Sequence, residues 1–230
     1  MKRLKNKIIG ITGVPVIAVI VLSFCVGCVI TAKPREEPEK TVKLTPEQIE
    51  EYLYPLMVQL AAYDTLTPKG DNYRYSLGFV VKAGRKTNYV CTKARSVSNA
   101  RSILAVADTE AKWQPYVKSL DVRSNLALVY CSSKVKFLDP LIISRKKLKP
   151  GQKVYLLDLS ENLEHILCAG VVISFDSQKI SCTFERNISY NFCPVVNEYG
   201  ELVGILSDDD SEGDTVEIVN ANQLKRLLDN

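Results

Sequence analysis

The chain has 230 residues, of which 46% are hydrophobic and 24% are charged. These values are ordinary for a globular protein, and the length suits one domain with an appended segment. The net charge of +4 comes from the N-terminal tail, because residues 33–230 carry 26 basic and 26 acidic side chains. A neutral sum over the folded part gives no electrostatic case for nucleic acid, and we expect no such partner.

The N-terminus predicts a membrane anchor. Residues 1–7 form a basic tail, and residues 8–32 follow without one charged side chain. About 20 apolar helical residues span a bilayer, so segment 8–32 predicts a transmembrane helix with the tail in the cytoplasm. A cleaved secretory signal, or lipidation at Cys28, remains open as an alternative. Each alternative places the folded part on the extracytoplasmic side of the cell membrane.

A tether and a helix precede the main body of the chain. Residues 33–44 are rich in Pro, Glu and Lys, which is typical of a solvated linker, so the folded domain is expected at 45–230. Thr45, followed by Pro46 and by Gln48 three positions later, has the capping-box pattern of a helix N-terminus. That helix is expected to end before Pro55.

From residue 56 onward the chain predicts an all-β fold, because many short β-rich segments alternate with turn residues. A short helix with Leu224, Leu227 and Leu228 on one stripe closes the chain at 221–228. The expected strands are 56–62, 76–82, 88–92, 103–107, 117–120, 126–131, 153–158, 168–175, 179–184, 195–197 and 202–207.

Two segments resemble the active-site segments of trypsin-like serine peptidases of the HtrA type. Residues 89–97 read YVCTKARSV and resemble the strand and turn that carry the catalytic histidine, with Arg95 at its position. Residues 121–129 read DVRSNLALV and resemble the segment of the catalytic aspartate, with Asn125 at its position.

A third segment, residues 187–197, reads NISYNFCPVVN and resembles the nucleophile loop, with Asn191 in place of the serine. The resemblance makes Arg95, Asn125 and Asn191 the degenerate triad positions. The neighbouring positions of the degenerate oxyanion and nucleophile loop are Ser189, Tyr190, Phe192 and Cys193.

Further segments with the same resemblance lie in the expected order, and together they cover most of 56–228. The resemblance implies two six-stranded β-barrels, one at about 56–142 and one at about 152–220, followed by the C-terminal helix. The segments are 78–81, 148–154, 170–172 and 200–205.

The triad positions predict an inactive member, a pseudoprotease with no catalytic residue. Peptide hydrolysis by this family needs a nucleophilic hydroxyl and a base that accepts its proton. The guanidinium of Arg95 stays protonated, and Asn191 has no such hydroxyl. Side chains at Ser189, Phe192 and Cys193 occupy glycine positions of the family loop, which disfavours its usual backbone geometry.

Other chemistry has weaker support. Cys193 or His165, the only histidine, is more simply a packing or surface residue than a catalytic one. We expect no metal and no cofactor, since the run Asp208-Asp209-Asp210 lacks the spacing of a calcium loop. The resemblance places Cys91 and Cys131 on neighbouring strands, which makes them the candidate disulfide.

These expectations predict a membrane-anchored domain that binds or scaffolds an unknown protein or peptide. An extended peptide would add a strand to a barrel edge, which uses backbone hydrogen bonds and no triad. One alternative is an active endopeptidase with a rearranged site. Another is a structural envelope protein whose cleft Phe192 and Tyr190 have closed.

Overall fold

The computed structural model describes residues 42–63, 73–83, 87–107, 112–131, 139–159, 165–185, 192–206 and 215–229. The expected basic tail, membrane segment and nearly all of the tether lie outside the described residues. Within those ranges, no helix has the length and apolar character needed to cross a bilayer. The described part is mostly β-structure, as the strand pattern predicts.

Helix α1 (Pro46–Leu53) begins as the capping box predicts. The Thr45 hydroxyl accepts a hydrogen bond from the Gln48 N–H at 3.3 Å, and the Gln48 side-chain oxygen accepts one from the Thr45 N–H at 2.9 Å. These bonds satisfy two donors that a helix start otherwise leaves exposed. A 3₁₀ turn, Tyr54–Leu56, follows α1 and leads into the first strand, so the helix ends before Pro55 as expected.

The first half of the described domain is a sheet of seven strands, with a short helix, α2 (Ala94–Val97), between the third and the fourth. The strands are β1 (Met57–Tyr63), β2 (Tyr73–Ala83), β3 (Thr87–Lys93), β4 (Ser102–Ala107), β5 (Lys112–Trp113), β6 (Val117–Asp121) and β7 (Leu126–Tyr130). Their order is β5-β4-β1-β2-β3-β7-β6, with every neighbouring pair antiparallel.

The second half is a closed six-stranded barrel, followed by helix α3 (Ala221–Asp229). Its strands are β8 (Lys153–Leu159), β9 (His165–Phe175), β10 (Lys179–Phe184), β11 (Cys193–Asn197), β12 (Leu202–Leu206) and β13 (Val216–Asn220). Closure leaves no free strand edge within the barrel, which satisfies the backbone groups of all six strands.

Two expectations about the strands need correction. The first half was expected as a six-stranded barrel, but it has seven strands in the described part because Lys112–Trp113 adds a short strand beside β4. Strand β13 was not expected at all. It runs directly into α3 with no Gly or Pro between them, and the junction is made by Asn220, whose side-chain oxygen accepts from the Asn222 N–H at 3.1 Å.

The apolar core has two parts. One fills the closed barrel with alternate residues of its strands, including Leu156, Ile180 and Ile218. The other runs through the first sheet and continues into the contact with the barrel, where Leu157 and Leu202 belong to the same cluster. Since burial of apolar surface is the main stabilising contribution, this shared core holds the two halves together.

The segment between the two halves joins them through backbone hydrogen bonds. Leu141 exchanges two bonds with β2, from its N–H to the Val80 carbonyl and from the Lys82 N–H to its own carbonyl, both at 3.0 Å. Three residues later the same segment pairs with Leu202 of β12, whose carbonyl accepts from the Ser144 N–H at 2.8 Å. The connection therefore acts as a short strand shared between the first sheet and the barrel.

A buried polar network fixes the turn between β11 and β12. The Glu201 carboxylate is 1% exposed and accepts hydrogen bonds from the Asn197 amide and the Ser144 hydroxyl, both at 2.9 Å. Gly200 in this turn has φ +69°, and a side chain there would also meet Leu44 and Tyr52 at about 3.1 Å. The network thereby ties the segment between the two halves to the turn.

We expect Glu201→Ala to lower the free energy of unfolding by about 2–3 kcal/mol, because it leaves the buried Asn197 amide and Ser144 hydroxyl without this acceptor. Chemical denaturation followed by fluorescence measures the change. Glu217→Ala is the matched control. It removes a carboxylate that pairs with Lys179 on the barrel surface and is expected to cost less than about 1 kcal/mol. Equal losses in the two variants would contradict the role of the network.

Candidate functional site

The first two resemblance segments meet at Arg95 and Asn125. The Arg95 N–H donates to the Asn125 side-chain oxygen at 3.1 Å, and the preceding Ala94 N–H donates to the Asn125 carbonyl at 3.0 Å. The backbone at the expected histidine position thus lies directly against the expected aspartate position. Asn125 is 4% exposed, whereas the Arg95 side chain is exposed.

The turn before β7 holds Asn125 in an uncommon conformation. Its φ of +53° is left-handed, which Asn tolerates better than most residues. The Asp121 carboxylate organises the same turn, since it accepts from the Ser124 hydroxyl at 2.6 Å and from the Arg123 N–H at 3.0 Å. The Ser124 hydrogen bond, followed by the backbone donors, lowers the pKa of Asp121.

Arg74 is a site residue that the sequence did not indicate. Arg74 is the second residue of β2, and its guanidinium Nη1 donates to the Arg95 carbonyl at 2.7 Å. The strand was expected to start at residue 76. The alternation of Tyr73, Arg74 and Tyr75 was the signal that could have extended it, because period-two alternation is typical of a half-buried strand.

The third segment is described only in part. Asn191, Ser189 and Tyr190 lie outside the described residues, so the positions of the expected nucleophile and oxyanion residues stay predictions. Phe192, the next residue, is 1% exposed and stacks on Phe79 of β2, with ring centroids 5.6 Å apart. The base of the loop is therefore anchored in the core between the two halves.

Cys193 also points inward, into the closed barrel. Its thiol faces the buried Asp158 carboxylate, with Sγ and Oδ1 4.0 Å apart. Burial, then the charges of Asp158 and Cys168, raise the pKa of Cys193 well above its usual value, and Lys93 of β3 opposes them. The thiol stays protonated at neutral pH, which argues against Cys193 as a nucleophile.

The candidate disulfide between Cys91 and Cys131 is not formed, and both residues are buried thiols. Cys91 pairs with Leu128, whereas the Cys131 N–H donates to the carbonyl of Asn88, which lies three residues before Cys91 in β3. At about 3.3 Å per residue, this offset puts the Cα atoms beyond the roughly 7 Å that a disulfide allows. The strands are neighbours as expected, but their register is wrong for a bridge.

His165 is the first residue of β9, which begins three residues before the expected strand start at 168. Its ring packs edge-on against Tyr54, with centroids 4.0 Å apart. In the described ranges, no group of three or more His, Cys, Asp or Glu residues is arranged to hold a metal ion. The run at 208–214 lies outside them.

Comparison with known proteins identifies the fold. No family model matches the chain, and no curated protein matches it. Solved structures do match, among them a serine endoprotease from Yersinia pestis with a TM-score of 0.64 and 15% sequence identity. The match covers 82% of this chain and 66% of that chain.

The chain has a trypsin-like fold. The identity is too low to carry over an activity, so the likeness concerns architecture alone. In this architecture the described residues bring two resemblance segments together by direct hydrogen bonds, at Arg95 and Asn125. The start of β11 adjoins them, because Phe192 stacks on β2 and Lys93 acts on the Cys193 thiol.

We expect Phe192→Ala to destabilise the protein by about 3–5 kcal/mol, since it opens a cavity in the core shared by the two halves. Thermal and denaturant unfolding measure the loss. Phe175→Ala is the matched control, because that ring is 44% exposed at the end of β9. If Phe192→Ala cost no more than Phe175→Ala, the anchoring role of Phe192 would be refuted.

Stability is expected to fall as pH rises above about 8.5, the usual thiol pKa of an unfolded chain. Burial raises the pKa of Cys131 to about 11 and that of Cys182 to about 12. Above pH 8.5 the unfolded chain therefore releases thiol protons that the folded chain retains. The free energy of unfolding decreases as pH rises from there toward pH 12. Melting curves between pH 8 and 11 measure the slope, which Cys182→Ala should reduce. Parallel curves for both proteins would contradict this origin.

Proposed function

We propose that the chain is a catalytically inactive trypsin-like domain that binds or scaffolds a protein segment outside the cytosol, anchored to the membrane by residues 8–32. The observation that carries the proposal is the contact between Arg95 and Asn125. Two segments that resemble those of the catalytic histidine and aspartate come together as in a peptidase, with side chains that transfer no proton.

The binding role is supported by the exposed sheet edges of the fold, which can bind a peptide without catalysis. Strand addition to a sheet edge uses main-chain hydrogen bonds and needs neither a base nor a nucleophile. In the described part, β5 and β6 are the outermost strands of the first sheet. An extended segment of a partner would pair with such an edge.

The structural alternative is a cleft closed by Phe192 and Tyr190, of which Tyr190 lies outside the described residues, and it has less support at Phe192. Phe192 is directed into the core against Phe79 and not toward the surface. Its ring therefore anchors the base of the loop in the core and does not fill a cleft at the surface. Cysteine peptidase chemistry at Cys193 is disfavoured by the raised pKa of its buried thiol.

We expect the full-length protein to leave labelled casein and a fluorogenic peptide library uncleaved over hours at pH 7 to 8. The physical reason is the lack of a group at position 95 that accepts a proton. Release of fluorescence under these conditions, followed by mass spectrometry of the products, is the measurement. Turnover by the wild type that Asn191→Ala or Arg95→Gln abolishes would show an active site and overturn the proposal.

A further inference from the structure

The two halves of the domain carry opposite charge. Residues 57–130, which span the first sheet, contain eleven basic and five acidic side chains. Residues 153–220, which span the closed barrel, contain three basic and thirteen acidic ones. The near-neutral sum hides this polarity. Because salt screens charges beyond about 8 Å, a partner at one half meets the local charge and not the sum.

Four arginines lie at one end of the first sheet, and we call this region the arginine end. It lies where β1 and β3 finish and where β2, β4 and β7 begin. Hydrogen bonds connect its parts: the side chain of Arg74 donates to the Arg95 carbonyl, and the Arg101 N–H donates to the Tyr63 carbonyl at 2.9 Å. The members are Arg74, Arg95, Arg101 and Arg123.

Positive charge dominates the described surface here. Arg95, Arg101 and Arg123 are exposed. Among the described residues of the first sheet, Asp121 is the one acidic side chain, and its carboxylate is engaged by Ser124 and by backbone N–H groups of its own turn. Negative charge from the described part of the sheet therefore does little to offset the arginine end.

Two exposed tyrosines flank Arg74 along β2, and their side chains lie on the face of the strand opposite to that of Arg74. Tyr73 and Tyr75 at the start of β2 are 48% and 79% exposed, and their rings are stacked with centroids 6.4 Å apart. Tyr63 of β1 packs against Tyr73 at 5.3 Å. Tyr and Arg are the residue types enriched where protein surfaces bind one another, because both add contact area and directed polar groups.

We propose that the arginine end binds an acidic segment of a partner protein, a run rich in Asp and Glu. The proposal rests on the proposed function and gives its partner a chemical class. Guanidinium groups bind carboxylates through two parallel hydrogen bonds, and the backbone at Arg95 is held from both sides. A short acidic run fits better than nucleic acid, because a long polyanion would continue onto the acidic barrel.

The test is fluorescence anisotropy with the full-length protein and a labelled peptide of about twelve residues of alternating Glu and Ser. We expect saturable binding that weakens severalfold between about 50 and 300 mM NaCl. Arg95→Gln and Arg101→Gln should each weaken binding by about threefold to fivefold, as for a partly solvated ion pair. Arg95→Lys keeps the charge but not the paired hydrogen bonds, so it should restore only part of the affinity lost in Arg95→Gln. Lys153→Gln removes an exposed charge on β8 and should change nothing.

Several results would overturn the proposal. They are no saturable binding of the Glu peptide, equal binding of a Lys/Ser peptide, equal weakening by Lys153→Gln, or a clear preference for an oligothymidine of the same length. Circular dichroism melts of every variant confirm that folding is retained. If the wild type binds other peptides but not the Glu peptide, this proposal is wrong and the proposed function stands. If the wild type binds no peptide at all, both are wrong.

Discussion

The stacking of Phe192 on Phe79 is the contact on which the arrangement of the two halves depends. One ring comes from the start of β11 in the closed barrel and the other from β2 in the first sheet, and both are almost fully buried. Around them the core continues without interruption from one half to the other. Because interiors are packed as densely as crystals, this contact permits little sliding between the halves. The start of β11 therefore stays next to β2.

Polar contacts then add direction to this apolar attachment. The hydrogen bonds from Ala94 and Arg95 to Asn125 fix α2 against the turn before β7. The Glu201 network fixes the turn between β11 and β12 against the segment between the two halves. Apolar burial is not directional, whereas buried hydrogen bonds admit a single geometry. A glycine at position 192 would supply none of this packing. Phe192 thereby gives the start of β11 an anchor in the core shared by the two halves.

Much of this fold is predictable from the chain. The capping box at Thr45, the strand periodicity and the order of the resemblance segments give the architecture and place Arg95 beside Asn125. Strand register is not predictable in this way, because it depends on which residues face each other across two strands. The offset of Cys131 from Cys91 is one example. The contact of Arg74 with Arg95 is another, since it joins β2 to α2 without any local motif.

The contact of residues 43 and 44 with the closed barrel has a mechanical consequence. The Leu44 N–H donates to the Glu198 carbonyl at 2.8 Å, and Lys43 pairs with the Glu198 carboxylate at 3.0 Å. The entering chain is thereby fastened to the turn between β11 and β12. A pulling force applied at residue 42 loads that turn, and through it the closed barrel, before it reaches the first sheet.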